Sequence, residues 1–222
     1  MSAEKQELIA EFLGSFFLTL AAVAPMILFP EILGSSIGVV VLAYALAVGF
    51  VLSVLIDMFG PISGAHFNPI VSLMMVMLNR MPTSKARVYL VAQVFGGLLG
   101  VIGSHLMFYH EKQVIATISE INRSGGNYLG EIIGTLILLL AILTLLKNEN
   151  PRIGWNIGVL VGGQLMATSS TMFANPMITI ARTFTYSAAG IRPTDSVVFI
   201  LMQFIGLGLA LLIWRQIEEK NR

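Results

Sequence analysis

Along most of this chain apolar residues run for about eighteen positions or more at a time, separated by short polar punctuation. The first run covers about Leu8 to Leu28, with Pro30 in its exit. Ser35 or Ser36 is placed to cap a second, which continues to about Phe59, ahead of Gly60-Pro61. The apolar piece from Ile70 to Leu78 is different, because at about 1.5 Å per residue it falls short of a hydrocarbon core roughly 30 Å thick. It ends at Asn79-Arg80-Met81-Pro82, and Thr83 or Ser84 opens a third span reaching about Tyr109. A polar connection from His110 to Asn127 precedes a fourth span, about Tyr128 to Leu146, and a fifth, about Gly154 to Ser170. A second short piece starts at Pro176 and runs to about Ala188, and a sixth span begins at Thr194 or Asp195 and ends near Trp214. The pattern predicts six spans and two half-spans.

Composition agrees and narrows the class. Of 222 residues, 56% are hydrophobic and 11% charged, with mean hydropathy +0.84; a soluble domain carries roughly 25% charged residues. The excess is spread over the whole length, so the chain reads as a polytopic membrane protein. A net charge of +1 without a basic cluster gives no case for nucleic acid, and the absence of cysteine excludes disulfides and thiolate metal sites. His105 and His110 stand far from other ligand candidates, and no nucleophile–base arrangement is visible, so no enzyme, metal or cofactor is expected. The first run follows the acidic start Ser2-Ala3-Glu4-Lys5-Gln6-Glu7, with no basic leader region, and reads as a retained helix. With both termini cytoplasmic, the inner flanks hold Lys5, Arg80, Lys85, Arg87, Lys147, Arg152, Arg215, Lys220 and Arg222, against Lys112, Arg123, Arg182 and Arg192 outside. Nine against four fits the positive-inside rule.

Three matches recur in the same order. Ala10-Glu11-Phe12-Leu13-Gly14-Ser15 echoes Gly130-Glu131-Ile132-Ile133-Gly134-Thr135, Asn68-Pro69 echoes Asn175-Pro176, and Ala92-Gln93-Val94-Phe95-Gly96 echoes Met202-Gln203-Phe204-Ile205-Gly206. Three spans per half give the halves opposite orientations, an inverted repeat over about 8–109 and 128–216 within one membrane domain. Each Asn-Pro pair opens a half-span: Pro suits the first helical turn, and Asn caps it while keeping an amide free for a passing solute. Two helix N-termini meeting at mid-membrane make a polar site without a charged side chain. Glu11 and Glu131 sit one per half, inside apolar helices. They are either a proton or cation relay or, the favoured reading, carboxyls that accept backbone N–H groups from the irregular segment ahead of each Asn-Pro.

Ser63-Gly64-Ala65-His66-Phe67-Asn68-Pro69, the second Asn175-Pro176 and the paired glutamates resemble the aquaporin (major intrinsic protein) family from Glu11 to about Trp214. The resemblance implies an all-α membrane fold, a right-handed bundle of six transmembrane helices plus two re-entrant half-helices. It implies a pore in each subunit of a homotetramer, with passive flow of water or small neutral solutes. It also implies that Asn68 and Asn175 donate to the solute at the pore centre, that Pro69 and Pro176 start the half-helices, and that His66 lines the inner approach.

The chain departs from the family pattern in two places. The motif residue that is usually Ala is Ile70 in one half and Met177 in the other, both bulkier and expected to tighten the centre. The Arg expected three residues after the second Asn is Ile178, and the other constriction positions fall on Val48, Gly163 and Met172. That ring holds no aromatic, His or Arg, so the path is expected to be wide and weakly polar, without one electrostatic barrier to cations. Arg182, one turn beyond Ile178, either reaches the outer vestibule or interacts with carbonyls at the end of its own half-helix. These features predict a channel for glycerol-like polyols or metalloid hydroxides such as arsenite, with water. The alternatives are a water-selective channel and a coupled transporter using Glu11 and Glu131.

Overall fold

The computed structural model describes residues 2–219; Lys220 and Arg222, counted above on the inner flank, lie outside them. Helix α1 (Ala3–Val23) starts five residues before the apolar run, because Ser2 caps it by accepting from the Lys5 amide at 3.4 Å. It continues through a turn at Pro25–Ile27 into a π-helical turn at Leu28–Ile32. Pro30 has no N–H to give, and the ladder shifts register there, with the Leu33 amide reaching Leu28 O at 3.0 Å.

Helix α2 (Ile37–Ser63) runs past Pro61, where the sequence suggested a stop. Proline's fixed φ is helical, so near a helix end its cost is one lost hydrogen bond. The stop comes instead at Gly64, whose φ of 90° is the left-handed end that glycine accommodates. The half-helix α3 (Pro69–Met77), α4 (Thr83–Met107) and α5 (Gly126–Lys147) follow. Then come α6 (Ile153–Ala167), the half-helix α7 (Pro176–Ala181), which ends in a 3₁₀ turn at Arg182–Phe184, and α8 (Pro193–Glu219).

Two of these are shorter than the pattern suggested. With 15 residues, α6 covers about 22 Å; it stops because Thr168 turns extended and its hydroxyl, donating to Gln164 O at 2.8 Å, accepts the Met172 amide at 2.9 Å. Helix α7 gives way where Thr183 Oγ1 donates to Ile180 O at 2.7 Å. Among the described residues five helices are long and apolar enough to cross a membrane, and α6 with the extended chain after it makes the sixth passage.

Close helix packing positions the site. Helix α1 packs on α4, α5 on α8 and α2 on α6. A Cβ at Gly206 would lie 2.8 Å from Ile132 O, and one at Gly49 2.8 Å from Gly158 O, so glycine sets these two crossings. Large apolar side chains such as Phe50, Val54 and Leu212 point outward, exposed by 53%, 57% and 59%. That is expected of surfaces facing lipid.

Candidate functional site

The two half-helices meet N-terminus to N-terminus, and reciprocal bonds join them. Asn68 Nδ2 donates to Ala174 O at 2.8 Å, and Asn175 Nδ2 donates to Phe67 O at 2.9 Å. Each Asn Oδ1 is used by its own cap, accepting from the Ile70 amide at 3.0 Å in one half and from the Met177 amide at 3.0 Å in the other. The cap therefore fixes which way each amide faces. One N–H of each NH₂ group is left over, at the middle of the molecule.

Behind each loop stands a carboxyl. Glu11 accepts from Ser63 Oγ at 2.7 Å, the His66 amide at 2.9 Å, the Phe67 amide at 2.8 Å and Gln93 Nε2 at 2.7 Å. Glu131 accepts from the Phe173 amide at 2.8 Å, the Ala174 amide at 2.9 Å and Gln203 Nε2 at 2.7 Å. The backbone pays for this geometry with left-handed residues at Ala65 and Phe67, φ 49° and 46°, and at Met172 and Ala174, φ 38° and 44°. A trans peptide holds N–H and C=O on opposite sides. With the His66, Phe67, Phe173 and Ala174 amides turned to the carboxyls, the carbonyls of Ala65, His66, Met172 and Phe173 point away from them.

Those four residues line a cavity of about 120 Å³ running through the half-helix junction. Asn68 and Asn175 lie on it, as do His66, Val48, Met172 and Ile178. His66 Nδ1 is 2.9 Å from Ser72 Oγ, which holds the ring against the wall. Between them the wall is largely hydrocarbon, with Val71 and Ile178 at matching places, three residues after each Asn.

Several expectations need correction. Gly163 does not line the cavity; it is exposed, and Val161 and Leu165 take the wall instead. Two residues along a helix is about 200° of rotation, so 163 faces away when 161 and 165 face in. Ile70 and Met177 are fully buried but off the path, so their bulk does not narrow it. Ile70 packs with Met74, Tyr89 and Leu139, while Met177 Sδ accepts from Thr19 Oγ1 at 3.4 Å. His105 is occupied structurally: Nδ1 is 2.7 Å from Ile115 O and Nε2 2.8 Å from Thr185 Oγ1.

The sequence reading missed two aromatic wall residues, Tyr44 and Phe173. Tyr44 lies one turn before Val48 on the same helical face, so the period would have found it. Arg182 is fully buried and does not cap its own half-helix: Nε donates to Ala189 O, and Nη1 donates to Tyr44 Oη at 3.0 Å. Its guanidinium lies 3.6 Å from the Phe173 ring centre, behind the wall and not on it.

Comparison with known proteins agrees with this architecture. The family described as major intrinsic protein matches residues 1–214. The chain is 31% identical over 214 residues to the aquaglyceroporin AqpS of Rhizobium meliloti (strain 1021), covering 96% of this chain and 91% of that protein. It is 30% identical over 176 residues to a probable glycerol uptake facilitator protein of Thermotoga maritima, covering 70% and 74%. The X-ray structure of the aquaglyceroporin from Plasmodium falciparum superposes with a TM-score of 0.71 at 20% identity, covering 96% of this chain and 94% of that one, which shows the shared fold. With six passages, two facing half-helices and a family match over nearly its whole length, the chain belongs to the major intrinsic protein family.

Proposed function

We propose that this protein is a passive membrane channel for small uncharged hydroxylated solutes of the glycerol class, with water. The observation that carries the reading is the cavity wall, apolar at Val48, Met172 and Ile178 with the amides of Asn68 and Asn175 at its centre. A polyol has the same two-sided chemistry: its carbon chain follows the apolar face while its hydroxyls exchange hydrogen bonds with the amides and loop carbonyls. Relatives named aquaglyceroporin and glycerol uptake facilitator support this reading. Neutral metalloid hydroxides such as arsenite share that hydroxylated surface and belong to the same substrate class.

In this reading Asn68 and Asn175 donate to the solute, His66 lines one approach, and Val48, Met172, Ile178 and Tyr44 set the narrowest part. Glu11 and Glu131 hold the loops instead of relaying protons; each accepts two backbone amides from its loop and one glutamine amide. The two halves, about 8–109 and 128–216, are inverted repeats, and both termini are cytoplasmic, as the charge count supports. The exposed apolar helix faces suit assembly as a homotetramer.

Stopped-flow light scattering on proteoliposomes tests the proposal. After an inward glycerol gradient, reswelling is faster than in empty liposomes and independent of any proton gradient. Fast shrinkage in sucrose without glycerol entry would assign the pore to water alone. Dependence on a proton gradient would assign it to coupled transport.

A further inference from the structure

The loop-side mouth of the cavity carries more positive charge than its wall reveals. Arg182, at the end of α7, has no exposed surface, and Arg123, in the connection before α5, stands against the same aromatic ring. Their guanidinium carbons lie 3.6 Å and 4.9 Å from the Phe173 ring centre. Arg123 is held by three carbonyls, Gly190 O at 2.8 Å, Ala188 O at 3.1 Å and Ser170 O at 3.4 Å. Among the described residues neither guanidinium has a carboxylate within 4.0 Å. Two carboxyls lie on this side: Glu131, engaged by Phe173, Ala174 and Gln203, and Asp195, which accepts from the Arg123 amide at 2.8 Å and pairs with Arg192 at 2.8 Å. Three guanidinium groups, those of Arg123, Arg182 and Arg192, against the two carboxylates leave this mouth with one positive charge in excess, whereas the groups bonded to Glu11 in the other half include no arginine.

The two charges feel each other: burial first, then the Arg182 guanidinium, push Arg123 down to about 10. Packing alone does not call for this arrangement. Nη2 of Arg182 is buried without a hydrogen-bond partner, and an apolar side chain would fill the space beside Phe173 without stranding a donor.

We infer that Arg182, reinforced by Arg123, is the cation-excluding element of this channel, acting through the Tyr44–Phe173 wall in place of an arginine on the pore surface. The solute meets the Tyr44 and Phe173 side chains and Ile178, so the passage stays suited to polyols, while a cation entering from the loop side meets a net positive field. Charge and pore width are thereby separated: Ile178 sets the width, and Arg182 supplies the barrier from one layer back.

The inference rests on the channel reading, and one set of proteoliposomes separates the two. Glycerol entry is read by light scattering and potassium entry by a trapped potassium-sensitive dye, for wild type, Arg182→Met, Arg182→Lys and Arg182→Met combined with Ile178→Arg. A unit charge acting over roughly 8 Å at an effective dielectric of about 20 changes cation entry about thirtyfold. Arg182→Met is expected to leak potassium more than wild type by that order. Arg182→Lys stays near wild type, and the double variant returns to it. Should Arg182→Met not assemble, Arg182→Gln carries the same test. A neutral variant that passes glycerol yet leaks no more potassium than wild type overturns the inference. So does a lysine variant that leaks as much as methionine, since packing would then be the cause. Absence of glycerol entry in the wild type would instead overturn the channel reading.

Discussion

Replacing Glu11 by alanine takes away one carboxyl that accepts four hydrogen bonds, from Ser63 Oγ, the His66 and Phe67 amides, and Gln93 Nε2. Ser63 keeps an alternative, because its hydroxyl also lies 3.4 Å from Phe59 O. Gln93 retains its contact to Ser72 Oγ at 3.2 Å. Among the described residues the two backbone amides have no second acceptor. At about 1–3 kcal/mol for each stranded buried donor, and about 1 kcal/mol for each weakened side-chain bond, the total is roughly 4–8 kcal/mol. Water entering the space left by the side chain would recover part of it, giving an expected loss of about 4 kcal/mol. For a chain of 222 residues that lowers the unfolding midpoint by about 8–16 °C. Thermal unfolding in detergent, followed by circular dichroism, measures it. Glycerol flux falls as well, since the left-handed turns at Ala65 and Phe67 lose the anchor that holds Asn68 in place. An alanine variant within about 2 °C of wild type that still conducts glycerol would refute the buttress argument, because less than about 1 kcal/mol would then be at stake. Normal stability with altered response to a proton gradient would favour the relay.

Three further outcomes follow from the same geometry. Ile178→Arg puts a long cation on the cavity wall, and glycerol flux should fall about tenfold, with water flux falling by less, in paired glycerol and sucrose shocks; equal losses would count against Ile178 setting the width. Leu165→Trp fills the wall and should cut glycerol flux by about tenfold, whereas Gly163→Ala, two residues away and facing out, leaves flux within about twofold of wild type. The reverse pattern would restore Gly163 to the path. Asn175→Ala loses both the α7 cap and the bond to Phe67 O, costing about 2 kcal/mol in unfolding measurements and lowering glycerol and water flux together.

The half-helices were legible because their signals are local. Asn-Pro announces a capped helix start, and the observed starts are Pro69 and Pro176. The buttress was legible from the repeat, since a carboxyl in an apolar helix needs donors and each half supplies an irregular loop. What stayed hidden depended on geometry that residue counting does not carry. Gly163 was placed by distance from Asn175 across a segment where the chain leaves the helix at Thr168, and the count drifted onto the wrong face. Ile70 and Met177 follow the prolines in sequence, yet their side chains turn into the bundle, and only the packing of α1, α4 and α8 shows this. Arg182 posed a choice that sequence cannot make, because its partners Tyr44 and Phe173 come from a distant helix and a loop. Pro61 misled for the opposite reason: it is a strong local stop signal, overridden where the chain simply continues to Gly64.

The crossed amide bonds, Asn68 to Ala174 O and Asn175 to Phe67 O, also constrain how the protein is made. Each loop's central carbonyl is satisfied by the other loop's asparagine. During synthesis the first four helices enter the bilayer before the second half exists, so α3 must wait with a buried carbonyl and an amide unpaired. Glu11 already anchors the loop ahead of α3, and the arrival of α7 from the other side completes the seat. A chain cut in the 108–125 connection would therefore insert its long helices but leave α3 short of its crossed bonds, and supplying the second fragment would complete both half-helices in one step.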